Sequence, residues 1–93
     1  MTAKRFHCRT YRFTWHLLIT DSAKEAGKYI ARRGDIGATL DDEPFSGYFT
    51  WIDTKDGSRE YVVIMEQWNG TAFDVANLSH ELNHLCFELF RDR

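Results

Sequence analysis

Two histidines and a glutamate near the carboxyl end of the chain have types and spacing suited to metal chemistry. In LSHELNHL, residues 78–85, His80 and His84 are four residues apart and Glu81 directly follows the first. Residues at this spacing lie one turn apart on the same side of a helix, so two imidazoles can converge on one zinc ion. Glu81 would then be placed to act as a general base. The alternative is an amphipathic helix whose polar face holds no ligand.

The helix that would carry these residues has a clear start signal. Thr71 and Asp74 stand at capping-box spacing, which predicts a helix from about residue 72 to about residue 90. An apolar stripe runs along it, with Cys86 and Phe90 beside the stripe; its members are Val75, Leu78, Leu82, Leu85 and Leu89. We expect the stripe to face a sheet and the two histidines to project from roughly the opposite side.

The earlier part of the chain predicts one strand and one helix. In YRFTWHLLI, residues 11–19, the odd positions are all apolar, and this period of two predicts a strand with one buried face. The segment DSAKEAGKYIARRGD, residues 21–35, predicts a short helix. Ser22 and Glu25 have capping-box spacing at its start, and Gly34 is a stop signal at its end.

The middle of the chain predicts a loop followed by a hairpin. GATLDDEPFSG, residues 37–47, has the composition of a loop, and Asp56-Gly57 lies between the β-rich runs YFTWI and EYVVIME. The predicted order is β-α-β-β-α. It favours an α+β two-layer sandwich in which two helices cover one face of a small, antiparallel-rich sheet, forming a single domain over residues 1–93.

Composition limits the class of protein. The 93 residues include 43% hydrophobic and 15% aromatic residues, which predicts a folded domain. The net charge of −2 argues against general binding to phosphate backbones, although basic residues concentrate before position 13. Cys8 and Cys86 lack CxxC spacing and are expected to be reduced thiols. With neither a membrane-length apolar run nor a signal peptide, we expect a cytoplasmic protein without a membrane partner.

The segment HELNH, inside VANLSHELNHLCFELF, resembles the active-site helix of the zincin metallopeptidases, whose signature is HExxH. Apolar positions typical of those helices are filled here by Leu78, Leu82 and Cys86. The resemblance implies zinc as cofactor, His80 and His84 as its ligands, and Glu81 as the catalytic general base. It also implies a zincin-like core, in which a helix and a sheet precede the active-site helix and a peptide substrate lies along an exposed edge strand.

The sequence departs from the zincin pattern at the third zinc ligand. Phe87 and Phe90 occupy the positions of the glycine and third histidine in the metzincin motif HExxHxxGxxH. The nine residues after His84 leave no room for the later helix that carries the third ligand of gluzincins. The third ligand is therefore open among His16, His7, Glu88 and a partner chain.

Two functions follow as hypotheses. The first is a zinc-dependent metallohydrolase, a small peptidase acting on peptide or protein substrates. The alternative is a noncatalytic binding or inhibitory protein, of viral or mobile-element type, on a degenerate zincin-like scaffold; its anchors would be Trp51, Trp68 or Phe45. Nucleic-acid binding is less favoured, because Tyr11 and Trp15, which interleave with basic residues near the amino end, fall on the face assigned to the core.

Overall fold

The computed structural model describes residues 1–36 and 47–91, which contain five strands and two helices. In chain order these are β1 (Thr2–Cys8), β2 (Phe13–Ile19), α1 (Ala23–Ala31), β3 (Gly34–Ile36), β4 (Gly47–Thr54), β5 (Arg59–Met65) and α2 (Ala72–Arg91). The α+β class is confirmed. The predicted order β-α-β-β-α is wrong because it lacks β1 and β3. The predicted loop at residues 37–47 lies outside the described residues except for Gly47.

The strands form one mixed sheet in the order β1-β2-β5-β4-β3. The central strands β2 and β5 are parallel, and every other neighbouring pair is antiparallel. The sheet is therefore rich in antiparallel pairs, as predicted. Strand β1 was missed because TAKRFHC has no apolar alternation; it forms an edge, where most of its residues are exposed. Strand β3 has only three residues.

The two helices lie on opposite faces of the sheet, so the prediction of a two-layer sandwich with both helices on one face is wrong. Helix α1 packs with Ala26 and Ile30 on one apolar cluster, which includes Leu18 of β2 and Ile64 of β5. Helix α2 contributes Leu85 to a second cluster on the other face. The reason lies in β5: the run Tyr61–Met65 is buried at every position, so both of its faces need covering.

Strand β2 also has two covered faces. The apolar odd positions are half-buried toward the α2 side, whereas Thr14, His16, Leu18 and Thr20 are buried toward the α1 side. The expectation of one buried face is therefore wrong. Helix α2 packs over β4 and β5, which leaves the α2-side face of β2 only partly covered.

The predicted start of α1 and the predicted hairpin turn are confirmed. Ser22 is the N-cap of α1, where the Glu25 N–H donates to Ser22 Oγ over 3.2 Å. Asp56-Gly57 lies in the turn between β4 and β5, and Gly57 has a φ of 88°, which glycine adopts without the steric penalty of a side chain. Gly34 begins β3 rather than closing α1, which ends at Ala31.

Within the described residues, neither helix combines the length and apolar character needed to cross a membrane.

Candidate metal site on helix α2

The start of α2 is fixed by a complete capping box, as predicted. The Asp74 N–H donates to Thr71 Oγ1 over 3.2 Å, and the Thr71 N–H donates to Asp74 Oδ2 over 3.3 Å. The Asn69 N–H donates to the same carboxylate oxygen over 2.7 Å. These bonds hold the pKa of Asp74 below its usual value, with the Asn69 amide as the largest cause. A fixed start sets which side chains of the helix face the sheet.

The buried side of α2 differs from the predicted stripe by a rotation about the helix axis. Leu78, Leu82, Leu85 and Leu89 pack against the sheet as expected. Val75 is half exposed, at 50%, and Cys86 and Phe90 are also exposed, so their assignment to the stripe or its borders was wrong. The buried positions on the other border of the stripe are Asp74 and Glu81. Glu81 thus lies between the leucines and the two histidines.

His80 and His84 direct their Nε2 atoms toward each other. The two atoms are 3.1 Å apart, the ring centroids are 4.7 Å apart, and the ring planes are nearly perpendicular at 88°. Two imidazole nitrogens that bind one tetrahedral zinc ion at about 2.0–2.1 Å lie about 3.3 Å apart. The observed separation is that of a hydrogen bond in which one ring donates its Nε2–H to the other, and it is also within a few tenths of an ångström of the spacing between two ligands of one ion. Both side chains are exposed, so an ion can reach them from solvent.

His84 is oriented by the sheet rather than projecting away from it. Its ring stacks on Phe49 of β4 at a centroid distance of 6.2 Å and an angle of 20°. Phe49 in turn stacks on Tyr61 of β5 at 6.1 Å and 15°. The histidine pair therefore lies on the flank of α2 beside β4. Both histidines lie away from the leucine stripe, as expected, but the contact of His84 with Phe49 was not expected.

Glu81 is buried against β4, with 7% of its surface exposed. A Cβ atom added at Gly47 would stand 3.1 Å from Glu81 Cγ and 3.2 Å from Oε1, so the glycine makes room for the carboxylate. Burial raises the pKa of Glu81, and the electrostatic influence of His84 and His80 opposes that rise. Among the described residues no hydrogen-bond donor reaches the carboxylate.

The structure does not bring His16 to the histidine pair. This residue is fully buried on the α1 side of the sheet, opposite α2. Its Nδ1 is 2.9 Å from Tyr29 Oη, and its Nε2 is 2.6 Å from Glu60 Oε1. His16 is therefore not placed to be a third ligand. The period-two pattern could not indicate this, because it shows that positions share a face but not which helix covers that face.

The other candidate ligands are also engaged elsewhere. His7 on β1 has its Nδ1 2.9 Å from Thr14 Oγ1. Glu88 lies one turn beyond His84 on α2, where its Oε1 is 3.7 Å from Arg91 Nη1. Among the residues that the structure describes, no three metal-binding side chains cluster. The described site thus consists of His80, His84 and Glu81.

Gly47 and Phe49 are contributors to the site that sequence reasoning did not identify. Each acts by shape, Gly47 through the absence of a side chain and Phe49 through a stacked ring, and neither carries a chemical signature. The sequence indicated that YFTWI is a strand, and an apolar strand must pack against another element of the fold. The residues of this strand do not indicate that the element is α2.

Comparison of the chain with protein-family models, with curated proteins and with solved structures gave no significant match. The function is therefore inferred from the geometry of the site and from the resemblance of HELNH to the zincin motif.

Proposed function

We propose that the chain is a zinc-dependent metallohydrolase, a small peptidase that uses His80 and His84 as zinc ligands and Glu81 as general base. The observation that carries this proposal is the convergence of the two Nε2 atoms, 3.1 Å apart, beside a buried carboxylate on the same helix. A carboxylate on the solvated face of a helix carries no desolvation penalty, whereas burial disfavours the charged form of Glu81 and raises its pKa. The zincin-like core remains part of the proposal.

Each side chain has a separate task in this proposal. Zinc held by His80 and His84 would supply Lewis acidity, which activates a water molecule and polarises a carbonyl group. Glu81, which lies on the same helix as the two histidines, would accept a proton from the attacking water. Phe49 holds the ring of His84, and Gly47 leaves space for the carboxylate of Glu81.

An extended peptide is the substrate that best fits the surroundings of the site. Strand β4 begins at Gly47, next to Glu81, and pairs with β5 along its length. The resemblance to zincins implies a peptide that lies along an exposed edge strand. A peptide in extended form can add to such an edge through main-chain hydrogen bonds. This position would bring its carbonyl groups beside the histidine pair.

Zinc binding by the histidine pair can be tested by titration. In the double variant His80→Ala/His84→Ala, zinc binding measured by calorimetry should be lost. The rise in melting temperature that zinc causes in the natural protein should be lost with it. His7→Ala is the matched control, because it removes an exposed histidine on β1 and should leave binding unchanged. Equal zinc affinity in the natural protein and the double variant would remove the metal site.

Catalysis can be separated from metal binding through Glu81. Glu81→Gln keeps the size of the side chain but cannot accept the proton, so it should bind zinc as the natural protein does. Hydrolysis of an unfolded protein substrate should fall by a factor on the order of 10² or more. If zinc-loaded natural protein cleaves no such substrate, or if Glu81→Gln is equally active, the hydrolase proposal fails.

A noncatalytic binding protein is the second candidate, and one observation favours it. Phe87 and Phe90 on α2 are 70% and 89% exposed, and aromatic residues this exposed are typical anchors for a protein partner. Of the anchors expected from the sequence, Trp68 is 41% exposed, Trp51 is half-buried under Arg59, and Phe45 lies outside the described residues. This candidate gains support if zinc binds and no hydrolysis follows.

A further inference from the structure

The hairpin formed by β1 and β2 carries a charge opposite to that of the rest of the chain. Residues 1–20 include Lys4, Arg5, Arg9 and Arg12 and no acidic residue. The remaining 73 residues include eight basic and fourteen acidic residues. All four basic side chains of the hairpin are exposed. The small net charge of the whole protein therefore hides a basic surface at one edge of the sheet.

The same hairpin exposes aromatic rings beside these charges. Phe6 stacks on Trp15 at a centroid distance of 4.6 Å and an angle of 19°, yet 40% of Phe6 is exposed. Tyr11, between the two strands, is 61% exposed, so its assignment to the core from the sequence was wrong. Helix α2 packs over β4 and β5 rather than over β1. The Phe6 side of the hairpin is therefore open to a ligand.

The alternation of the strand places a cation next to the stacked rings. In the antiparallel register Phe6 is opposite Trp15 and Lys4 is opposite Leu17, so Lys4 lies on the same face as Phe6. Arg9 and Arg12 lie in the connection between β1 and β2, on either side of Tyr11. Rings and cations therefore alternate from the edge strand to the tip of the hairpin.

We propose that this hairpin surface, formed by Lys4, Phe6, Arg9, Tyr11 and Arg12, binds single-stranded nucleic acid. Bases would stack on Phe6 and Tyr11, and the basic side chains would contact the phosphates between them. Stacking platforms interleaved with cations are the common solution for binding single strands without sequence preference. A duplex is a poorer ligand, because its bases are already stacked on one another. The proposal is independent of the metal site.

Two other occupants fit the surface less well. A second copy of the chain that paired β1 with β1 would bring its Lys4 and Arg5 beside the same cations, which disfavours the contact. Lysine on an edge strand often prevents such pairing, but that role does not account for the exposed rings. An acidic peptide would satisfy the cations and leave Phe6 and Tyr11 without a partner. The rings therefore favour nucleic acid over an acidic peptide.

Fluorescence anisotropy with labelled oligothymidylate and oligouridylate tests the proposal. At low salt the natural protein should bind both, and the affinity should fall as salt is raised because counterions are released from the phosphates. Phe6→Leu should weaken binding by about 5- to 150-fold, which corresponds to about 1–3 kcal/mol for one stacked base. Phe73→Leu is the matched control, since Phe73 is 63% exposed on α2 and lies outside the surface.

The contribution of charge is tested with paired variants. Lys4→Gln/Arg9→Gln should lower affinity and reduce the dependence of the affinity on salt. Lys24→Gln/Lys28→Gln, which removes two exposed cations from α1, should change neither. Circular dichroism and thermal melting establish that each variant is folded. Absence of binding at low salt, equal affinity for a polyglutamate peptide, or equal losses in Phe6→Leu and Phe73→Leu would overturn the proposal.

Discussion

Burial of Glu81 makes its ionisation unfavourable in the metal-free protein. Its pKa is raised above the ordinary value of 4.5, so the folded state binds more protons than the unfolded state between 4.5 and the raised pKa. Folding stability is therefore greatest below pH 4.5 with respect to this group, and it is lost as the pH rises through the raised pKa. The buried position of Glu81 lowers the stability of the folded protein at higher pH, so this position is more readily explained by function than by stability.

In chelator-treated protein, Glu81→Gln should therefore gain stability relative to the natural protein as the pH rises from below 4.5 to neutral, because burial opposes the charge on the natural side chain and glutamine carries none. Below pH 4.5 both side chains are neutral, and the two proteins should have similar stability. Urea unfolding at the two pH values measures the difference. A variant that is less stable than the natural protein at neutral pH would contradict the account of Glu81.

Gly47→Ala tests whether the position of Glu81 matters for activity. The added methyl group would lie 3.1–3.2 Å from Glu81 Cγ and Oε1, and the carboxylate, at the end of a flexible side chain, should move away. Zinc affinity should persist, while hydrolysis should fall by roughly ten- to a hundredfold, because small misplacements of a catalytic group are costly. Gly27→Ala is the control: its Cβ meets nothing within 4 Å, so activity should be unchanged. Equal activity of the two variants would contradict the role of Glu81 as general base.

At the scale of elements, the capping box determines where α2 begins and which of its sides faces the sheet. Thr71→Ala removes the oxygen that accepts from the Asp74 N–H, and it should lower the free energy of unfolding by about 1 kcal/mol. Ser79→Ala removes an exposed hydroxyl from the middle of the same helix. It should not lower the free energy of unfolding, because alanine has a high helix propensity. Chemical denaturation of both variants measures the effect, and equal stabilities would contradict it.

The elements differ in how far the sequence predicts them, and each difference has a physical cause. The starts of α1 and α2 were predictable because capping involves residues three apart in the chain. The turn at Gly57 was predictable because few residues accept its backbone conformation. Strand β1 was not, since an edge strand exposed on both sides forms by pairing with β2 and needs no apolar pattern of its own.

At the scale of the whole molecule, three elements meet at His16. In the neutral ring, Nε2–H donates to Glu60 of β5, and Nδ1 accepts from the Tyr29 hydroxyl of α1. Tyr29 is itself covered by Arg33, whose guanidinium carbon is 3.7 Å from the ring centroid. Burial lowers the pKa of His16, as do the charges of Arg33 and Arg5, while the bond and charge of Glu60 act in the opposite direction.

The lowered pKa of His16 predicts a pH dependence of folding. The unfolded chain binds a proton at His16 below about pH 6.5, whereas the folded protein resists protonation until a lower pH. The contribution of His16 to stability is therefore present above pH 6.5 and is lost as the pH falls from 6.5 through the lowered pKa. In His16→Gln, stability measured by urea unfolding should fall less between pH 7.5 and pH 5.5 than in the natural protein. Equal falls would exclude His16 as the cause.

The arrangement of the two faces explains why the site was only partly predictable. His80, Glu81 and His84 were identified from their spacing on one helix, which is a local property. The placement of His16 on the opposite face and of Phe49 against His84 depends on strand order and on the face that each helix covers. Those features depend on pairings between residues that are distant in the chain, and the periodicity of a single segment carries no information about such pairings. Spacing therefore predicted that His80 and His84 lie side by side, and it could not predict that His16 lies on the opposite face of the sheet.

We propose that His80 and His84 hold one zinc ion beside Glu81. Crystals grown with zinc, measured on either side of the zinc absorption edge, test it most directly by anomalous scattering. We expect a single strong peak within about 2.0–2.1 Å of both Nε2 atoms. If zinc occupies other positions, such as the thiols of Cys8 or Cys86, and no peak lies at the histidine pair, the two histidines are not zinc ligands.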